Sequence, residues 1–153
     1  MSNDVTIRKA LLTDAPIIAG FNTAMAIETE SKILEEKKIS AGVENLFRHP
    51  EYGFYIAAEI ENRVVGCLLI TYEWSDWRNG LIWWIQSVYT NPEFRRRGIY
   101  RQMYSYIKTM ALSAKNICGI RLYVEKENTT AQSTYKNLGM IETVYNMYEE
   151  MLA

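Results

Sequence analysis

Polar and apolar positions recur along this chain with a period that switches between that of a strand and that of a helix. The stretch "VTIRKA" reads as a short strand, after which "TDAP" offers Thr13 or Asp14 as an N-cap with Pro16 in the first turn. Ile17, Ile18, Phe21 and Met25 follow at helical spacing, and Ser40 opens a second short helix carrying Val43, Leu46 and Phe47 that stops at "RHP". From Tyr52 the period is two. "YGFYIAAEI", "RVVGCLLITYE" and "LIWWIQSVYT" are rich in β-branched and aromatic residues, joined by a tight turn near Glu61-Asn62 and a longer polar loop, "WSDWRNG". A helix from about Ile99 places Ile99, Met103, Ile107, Met110 and Ala114 on one stripe, and the strand "GIRLYVE" follows. The helix "TAQSTYKNLG" stops at Gly139, and "IETVYNMYEE" closes the chain as a last strand.

The order β-α-α-β-β-β-α-β-α-β predicts an α+β fold, a single mixed, mostly antiparallel sheet with helices on both faces. The strands ending near Thr90 and starting near Gly119 are separated by a full helix, the connection a parallel pair needs. No repeat, low-complexity segment or Gly/Ser/Pro linker interrupts the pattern, so residues 1–153 read as one domain.

Composition narrows the function. Of 153 residues, 48% are apolar or aromatic, ample for one core, and the net charge of −1 excludes a general polyanion or nucleic-acid binder. No stretch approaches the roughly 18 apolar residues of a membrane span, and the amino terminus lacks a signal pattern, so a cytoplasmic protein is expected. Cys67 and Cys118 read as small core hydrophobes, and His49 is the single histidine; no pair has ligand spacing, so no metal is expected.

Against that neutral background, residues 91–111 stand out: "NPEFRRRGIYRQMYSYIKTMA" sets three arginines against a glycine at the turn from strand to helix. A helix N-terminus carries about half a positive charge and several free amides, and glycine lets an anion approach the backbone. Arg95, Arg96, Arg97 and Arg101 add guanidinium groups suited to phosphate oxygens. The combination reads as a pyrophosphate cradle; no Walker loop is present.

This stretch resembles the acetyl-CoA signature of the GCN5-related N-acetyltransferase (GNAT) superfamily, [R/Q]-x-x-G-x-[G/A] opening a helix. Arg95 falls at its first position and Gly98 at its central glycine, while Tyr100 replaces the usual Gly or Ala. The later segment "NTTAQSTYKNLGM" resembles the family's N-x-x-A-x-x-x-Y-x-x-x-G-[FM], matched by Asn128, Ala131, Tyr135, Gly139 and Met140. The resemblance covers nearly the whole chain. It implies acetyl-CoA as cofactor, backbone pairing of Ser87, Val88 and Tyr89 with the pantetheine arm, Tyr135 as general acid toward the leaving thiolate, and Asn128 helping to fix the coenzyme arm.

The implied reaction moves an acetyl group from the thioester to a primary amine by direct attack, which needs a neutral amine, donors for the developing oxyanion and a proton for the thiolate. A non-catalytic acyl-CoA-binding sensor or partner module of the same fold is the alternative. Relatives often place a Glu on the strand before the cradle; here the inward positions read as Trp84, Gln86 and Val88, none of them a base. Glu28 continues the Phe21–Met25 stripe and is the carboxylate expected to bind the acceptor ammonium or take its proton; the competing reading has the helix ending near Met25 with Glu28 at a frayed end. Glu73 and Asp76 are alternatives in the polar loop. The acceptor itself, a small molecule or a peptide, is not encoded legibly. Of the adjacent Trp83 and Trp84, alternation sends one to each face, and the tryptophan-rich hairpin and tyrosine-rich last strand are surfaces where a homodimer could form.

Overall fold

Strand pairing follows chain order in the computed structural model, which describes residues 4–153. Strand β1 (Thr6–Lys9) pairs with β2 (Gly53–Ile60), β2 with β3 (Arg63–Ser75), and β3 with β4 (Gly80–Thr90), all antiparallel; β4 pairs in parallel with β5 (Ile117–Leu122). The helices are α1 (Ala15–Glu30), α2 (Glu36–Arg48), α3 (Ile99–Ser113) and α4 (Thr129–Asn137). The elements form two compact units, one ending at Tyr123 and one running from Val124 to Ala153.

In the first unit the register sorts side chains between two faces. Pairs Ala57–Cys67, Tyr55–Leu69, Leu69–Gln86, Thr71–Trp84 and Trp84–Arg121 share one face. Ile56–Leu68, Ile70–Ile85 and Ile85–Leu122 share the other. Helices α1 and α2 cover the first face, with Ile18, Phe21 and Val43 in one cluster with Tyr55, Ala57, Cys67 and Tyr89. Helix α3 covers the second: Ile99 lies 3.6 Å from where a Gly66 Cβ would stand, and Met103 and Ile107 are fully buried. The crossover β4–α3–β5 is thus the helix-linked parallel pair that the spacing predicts.

Local chemistry explains most boundaries. Glu61 and Asn62 both adopt positive φ, the type I′ geometry that joins two twisted strands. Asp14 precedes α1 with Pro16 in its first turn, and its carboxylate accepts from the Leu11 amide at 2.7 Å and from Arg8 at 2.8 Å. Arg8 also reaches Glu59 at 2.8 Å, so one network ties β1, β2 and the entrance of α1.

Four features differ from the sequence reading. Helix α2 starts at Glu36, leaving Ser40 inside it, because Ile39 extends the apolar stripe by a turn. Glu73 lies within β3 and not in a loop: the ladder continues through Trp74–Leu81 and Ser75–Gly80, leaving residues 76–79 as the connection. Cys118 is exposed, its thiol donating to the Leu81 carbonyl at 3.3 Å. Residues 141–150, expected as the last strand, belong to no ladder and are exposed. Alternation supplies strand-compatible side chains but not a pairing partner, and a strand exists only with one.

The second unit is a capped helix. Asn128 accepts from the Ala131 amide at 3.1 Å, and Gln132 donates to the carbonyls of Glu125 and Lys126. Gly139, at φ +95°, ends α4, and the Met140 amide donates to the Tyr135 carbonyl at 3.0 Å. Asn, Gly and Met of the second motif thus all serve to start or stop this helix.

Candidate active site

The centre of β4 carries a break that periodicity does not reveal. Leu69 pairs with Gln86 and Cys67 with Tyr89, so Ser87 and Val88 together stand opposite Leu68, and Ser87 is left-handed at φ +51°. This β-bulge inserts one residue and reverses the alternation beyond it. Tyr89, not Val88, therefore shares the face of Trp84 and Gln86, where its ring packs 4.9 Å from Phe21 of α1. The bulge interrupts the ladder at Ser87 and Val88, two of the three residues expected to meet a pantetheine arm, and the Ser87 carbonyl accepts from the Cys67 thiol at 4.0 Å.

Strand β4 then leads through a short 3-10 turn (Pro92–Phe94) to α3. Asn91 caps that turn through the Glu93 amide at 3.0 Å. Arg96 at φ +64° and Gly98 at φ +72° are both left-handed, and Gly98 is the N-cap of α3, so no side chain caps the helix. The amides of Arg97, Gly98 and Ile99 donate to no acceptor among the described residues, and a Cβ built on Gly98 meets nothing within 4 Å. Glycine is needed here for its φ, and the space above it is open. Arg96 and Arg101 are exposed and form no ion pair among the described residues, while Arg97 lies over the Phe94 ring at 5.1 Å. Tyr100 packs beside Tyr104, ring centroids 6.3 Å apart.

Arg95 is committed differently. Its Nε donates to the Thr90 carbonyl and its Nη2 to Glu28, both at 2.8 Å, and its guanidinium lies 5.4 Å from the Tyr89 ring centroid. Helix α1 runs intact through Glu30, so Glu28 sits in its last turn and not on a frayed end. The residue expected to meet the acceptor amine is instead found paired with the first arginine of the cradle, 67 positions away.

A polar patch occupies the α1-side face beyond the bulge. Glu73 accepts from Trp84 Nε1 and from Arg121 Nη1, each at 2.8 Å, and Gln86 donates to Thr71 Oγ1 at 2.6 Å. Tyr123 stands beside Trp84, centroids 6.2 Å apart. All six residues except exposed Tyr123 are half-buried. Arg121 was not singled out from sequence; the signal was a charged residue two positions from a tyrosine in an otherwise apolar strand, meaningful only once the parallel register is known.

Asn128 and Tyr135 belong to the second unit, where Tyr135 is partly buried in α4 and that burial raises its phenol above the ordinary value. The phenol therefore holds its proton at neutral pH. Burial pushes the Cys67 thiol up to about 12, so it stays protonated and offers no nucleophile. No cluster of metal-ligating side chains occurs among the described residues, and none of their helices is long and apolar enough to cross a membrane.

A family model described as the acetyltransferase (GNAT) family matches residues 20–140. No curated protein matches the chain in sequence. Among solved structures, a possible acetyltransferase from Clostridium difficile 630 is 45% identical, covers 97% of this chain and 98% of its own, and superposes with a TM-score of 0.91. A predicted acetyltransferase from Clostridium acetobutylicum, solved with acetyl-CoA, shares the fold at 22% identity, with 96% of each chain covered and a TM-score of 0.79. A ribosomal-protein-alanine N-acetyltransferase from Brucella melitensis biovar Abortus 2308 shares it at 13% identity, covering 98% of this chain and all of its own, with a TM-score of 0.79. With the match spanning most of its length and both units, the chain belongs to the GNAT family of acetyltransferases.

Proposed function

We propose that this chain transfers the acetyl group of acetyl-CoA to a primary amine, with both units in one catalytic domain. The uncapped, left-handed entrance of α3, directly after the bulged strand, carries the reading. A pyrophosphate fits it on three counts: open space over Gly98, unpartnered amides at 97–99, and the free cationic side chains of Arg96 and Arg101. The bulge at Ser87 and Val88 supplies main-chain groups for the arm that carries the thioester.

Acetyl-CoA supplies the activated acyl group. The chain's own residues do the rest. Backbone amides at the bulge are the donors assigned to the carbonyl oxygen as charge develops on it. Tyr135, protonated at neutral pH, is the acid assigned to the departing sulfur. The polar sheet face with Glu73, Trp84 and Arg121 is the surface assigned to the acceptor. Glu28 is assigned to Arg95, whose two hydrogen bonds fix the turn from β4 toward α3, so it acts on the cradle more than on the amine.

The test is release of free CoA thiol when acetyl-CoA is mixed with a panel of amines, including amino acids, polyamines and peptide N-termini. Acceptor-dependent release is expected, and Tyr135→Phe should lower turnover by about 10² or less with coenzyme affinity unchanged. Tight binding of acetyl-CoA with no release for any amine would favour the acyl-CoA-binding module.

A further inference from the structure

The polar patch on the α1-side face, which lies within the first unit, holds an arginine with donors left over. Arg121 stands in the otherwise apolar strand "ICGIRL", level with Trp84 in the parallel register, its side chain 27% exposed. Its Nη1 donates to Glu73 at 2.8 Å, while Nε and Nη2 donate to no acceptor among the described residues. Those two nitrogens form the fork of a guanidinium, the edge that meets a carboxylate through two parallel hydrogen bonds.

Glu73 has no such surplus. One of its oxygens accepts from Trp84 Nε1 and the other from Arg121, so the carboxylate pins the guanidinium and the indole side by side. Glu73 is the one acid among the six residues of the patch, and Arg121 neutralises it. A polyamine or other polycation therefore finds no free negative charge there.

Direction along the sheet matters as well. Strand β5 runs parallel to β4 and Leu122 pairs with Ile85, so Tyr123 lies on the bulge side of Arg121. Its ring, 6.2 Å from that of Trp84, gives the path from Arg121 toward the bulge an apolar wall. Trp84, level with Arg121, is three residues before Ser87, roughly 10 Å along a strand. A small molecule bridging that gap puts a carboxylate on Arg121, its carbon skeleton along the two rings and an amine at the bulge.

We propose that the acceptor is a free amino acid held by its carboxylate on the open Nε–Nη2 edge of Arg121, with Glu73 as the positioning residue that aims that edge. This rests on the acetyl transfer proposed above, with the thioester at the bulge. The acceptor's ammonium loses one proton to solvent, and no free carboxylate of the patch holds that proton back. The neutral amine forms the N–C bond as the C–S bond breaks, and its second proton balances the one taken up by sulfur. The products are an N-acetyl amino acid and free CoA thiol.

Matched acceptors test this: the common amino acids, with the amide and the decarboxylated amine of each, assayed for CoA thiol release. At least one amino acid should exceed both of its partners in kcat/KM by about tenfold to a hundredfold, mostly through KM. Arg121→Gln should abolish that preference, and Glu73→Gln, which unpins the guanidinium, should reduce it about threefold to tenfold. The double variant Glu73→Gln/Arg121→Gln keeps an uncharged hydrogen-bonding pair and should also lack the preference, with coenzyme affinity and circular dichroism reporting the fold. A second readout is independent of turnover. In ¹⁵N-labelled chain saturated with CoA, the Trp84 indole resonance, identified by its loss in Trp84→Phe, should shift with amino acids of the panel and not with their decarboxylated amines. Thiol release that ignores the carboxylate, or a preference that survives Arg121→Gln, overturns the amino-acid assignment and leaves acetyl transfer standing. No release with any amine overturns acetyl transfer, and the indole titration then decides the Arg121 site: a carboxylate-dependent shift supports it, and equal shifts or none overturn it.

Discussion

Helices α1 and α3 each begin shortly after a strand, and their entrances are built from opposite chemistry. Before α1, Asp14 takes two Arg8 nitrogens and the Leu11 amide, and the carboxylate is largely buried. Before α3, Gly98 offers no side chain, the amides of Arg97, Gly98 and Ile99 donate to no acceptor among the described residues, and Arg96 and Arg101 form no ion pair among them. One entrance satisfies its polar groups internally and contributes stability. The other leaves them open toward solvent, an arrangement whose cost makes sense for a ligand that supplies the missing anion.

Breaking the open entrance should have the largest effect. Gly98→Val forces a β-branched residue to φ +72° but meets no neighbour, so the fold should survive with about 1–2 kcal/mol of strain while CoA affinity falls at least about a hundredfold. Calorimetric titration with CoA and a thermal melt separate the two. Affinity equal to wild type would place the pyrophosphate elsewhere.

Breaking the closed entrance should do the reverse. Asp14→Asn should cost about 2 kcal/mol of stability and leave CoA binding alone. The Arg8 hydrogen bond holds the Asp14 carboxyl below its ordinary value of 3.8. Its contribution is therefore present above about pH 4 and is lost as pH falls toward the folded-state value. Melting temperature should drop with acidification less steeply in Asp14→Asn than in wild type; parallel curves would remove Asp14 from the account.

The smallest effect sharpens the boundary between the two regions. Glu28→Gln loosens Arg95 without touching the amides, so CoA affinity should fall about threefold to tenfold with the amine KM unchanged. A loss confined to amine KM, or to the acidic limb of kcat/KM, would instead give Glu28 the acceptor-side role that its place on the α1 stripe first indicated.

How much of this was readable from residues alone depended on distance along the chain. The crossover β4–α3–β5 and the turn at Arg95–Gly98 were legible because strand period, arginine run, glycine and helical stripe follow one another without a gap. The capping of α4 by Asn128 and Gly139 is equally local. The bulge at Ser87 is not legible: no glycine or proline marks it, and "IQSVYT" reads as unbroken alternation, which sets Val88 on the face of Gln86. Glu28–Arg95 and Glu73–Arg121 join residues 67 and 48 positions apart, and periodicity carries no information about such pairs. The C-terminal segment shows the remaining limit, since its pattern encodes a strand but not what the strand pairs with.

The most direct measurement follows the backbone amides themselves. In a ¹⁵N-labelled sample titrated first with pantetheine and then with CoA, the Arg97, Gly98 and Ile99 resonances should stay in place with pantetheine and move with CoA, because only CoA carries the pyrophosphate. Resonances at Ser87–Tyr89 should move with both. Equal shifts at 97–99 for the two ligands, or none for either while other amides respond to CoA, would contradict the assignment of the α3 entrance as the anion site.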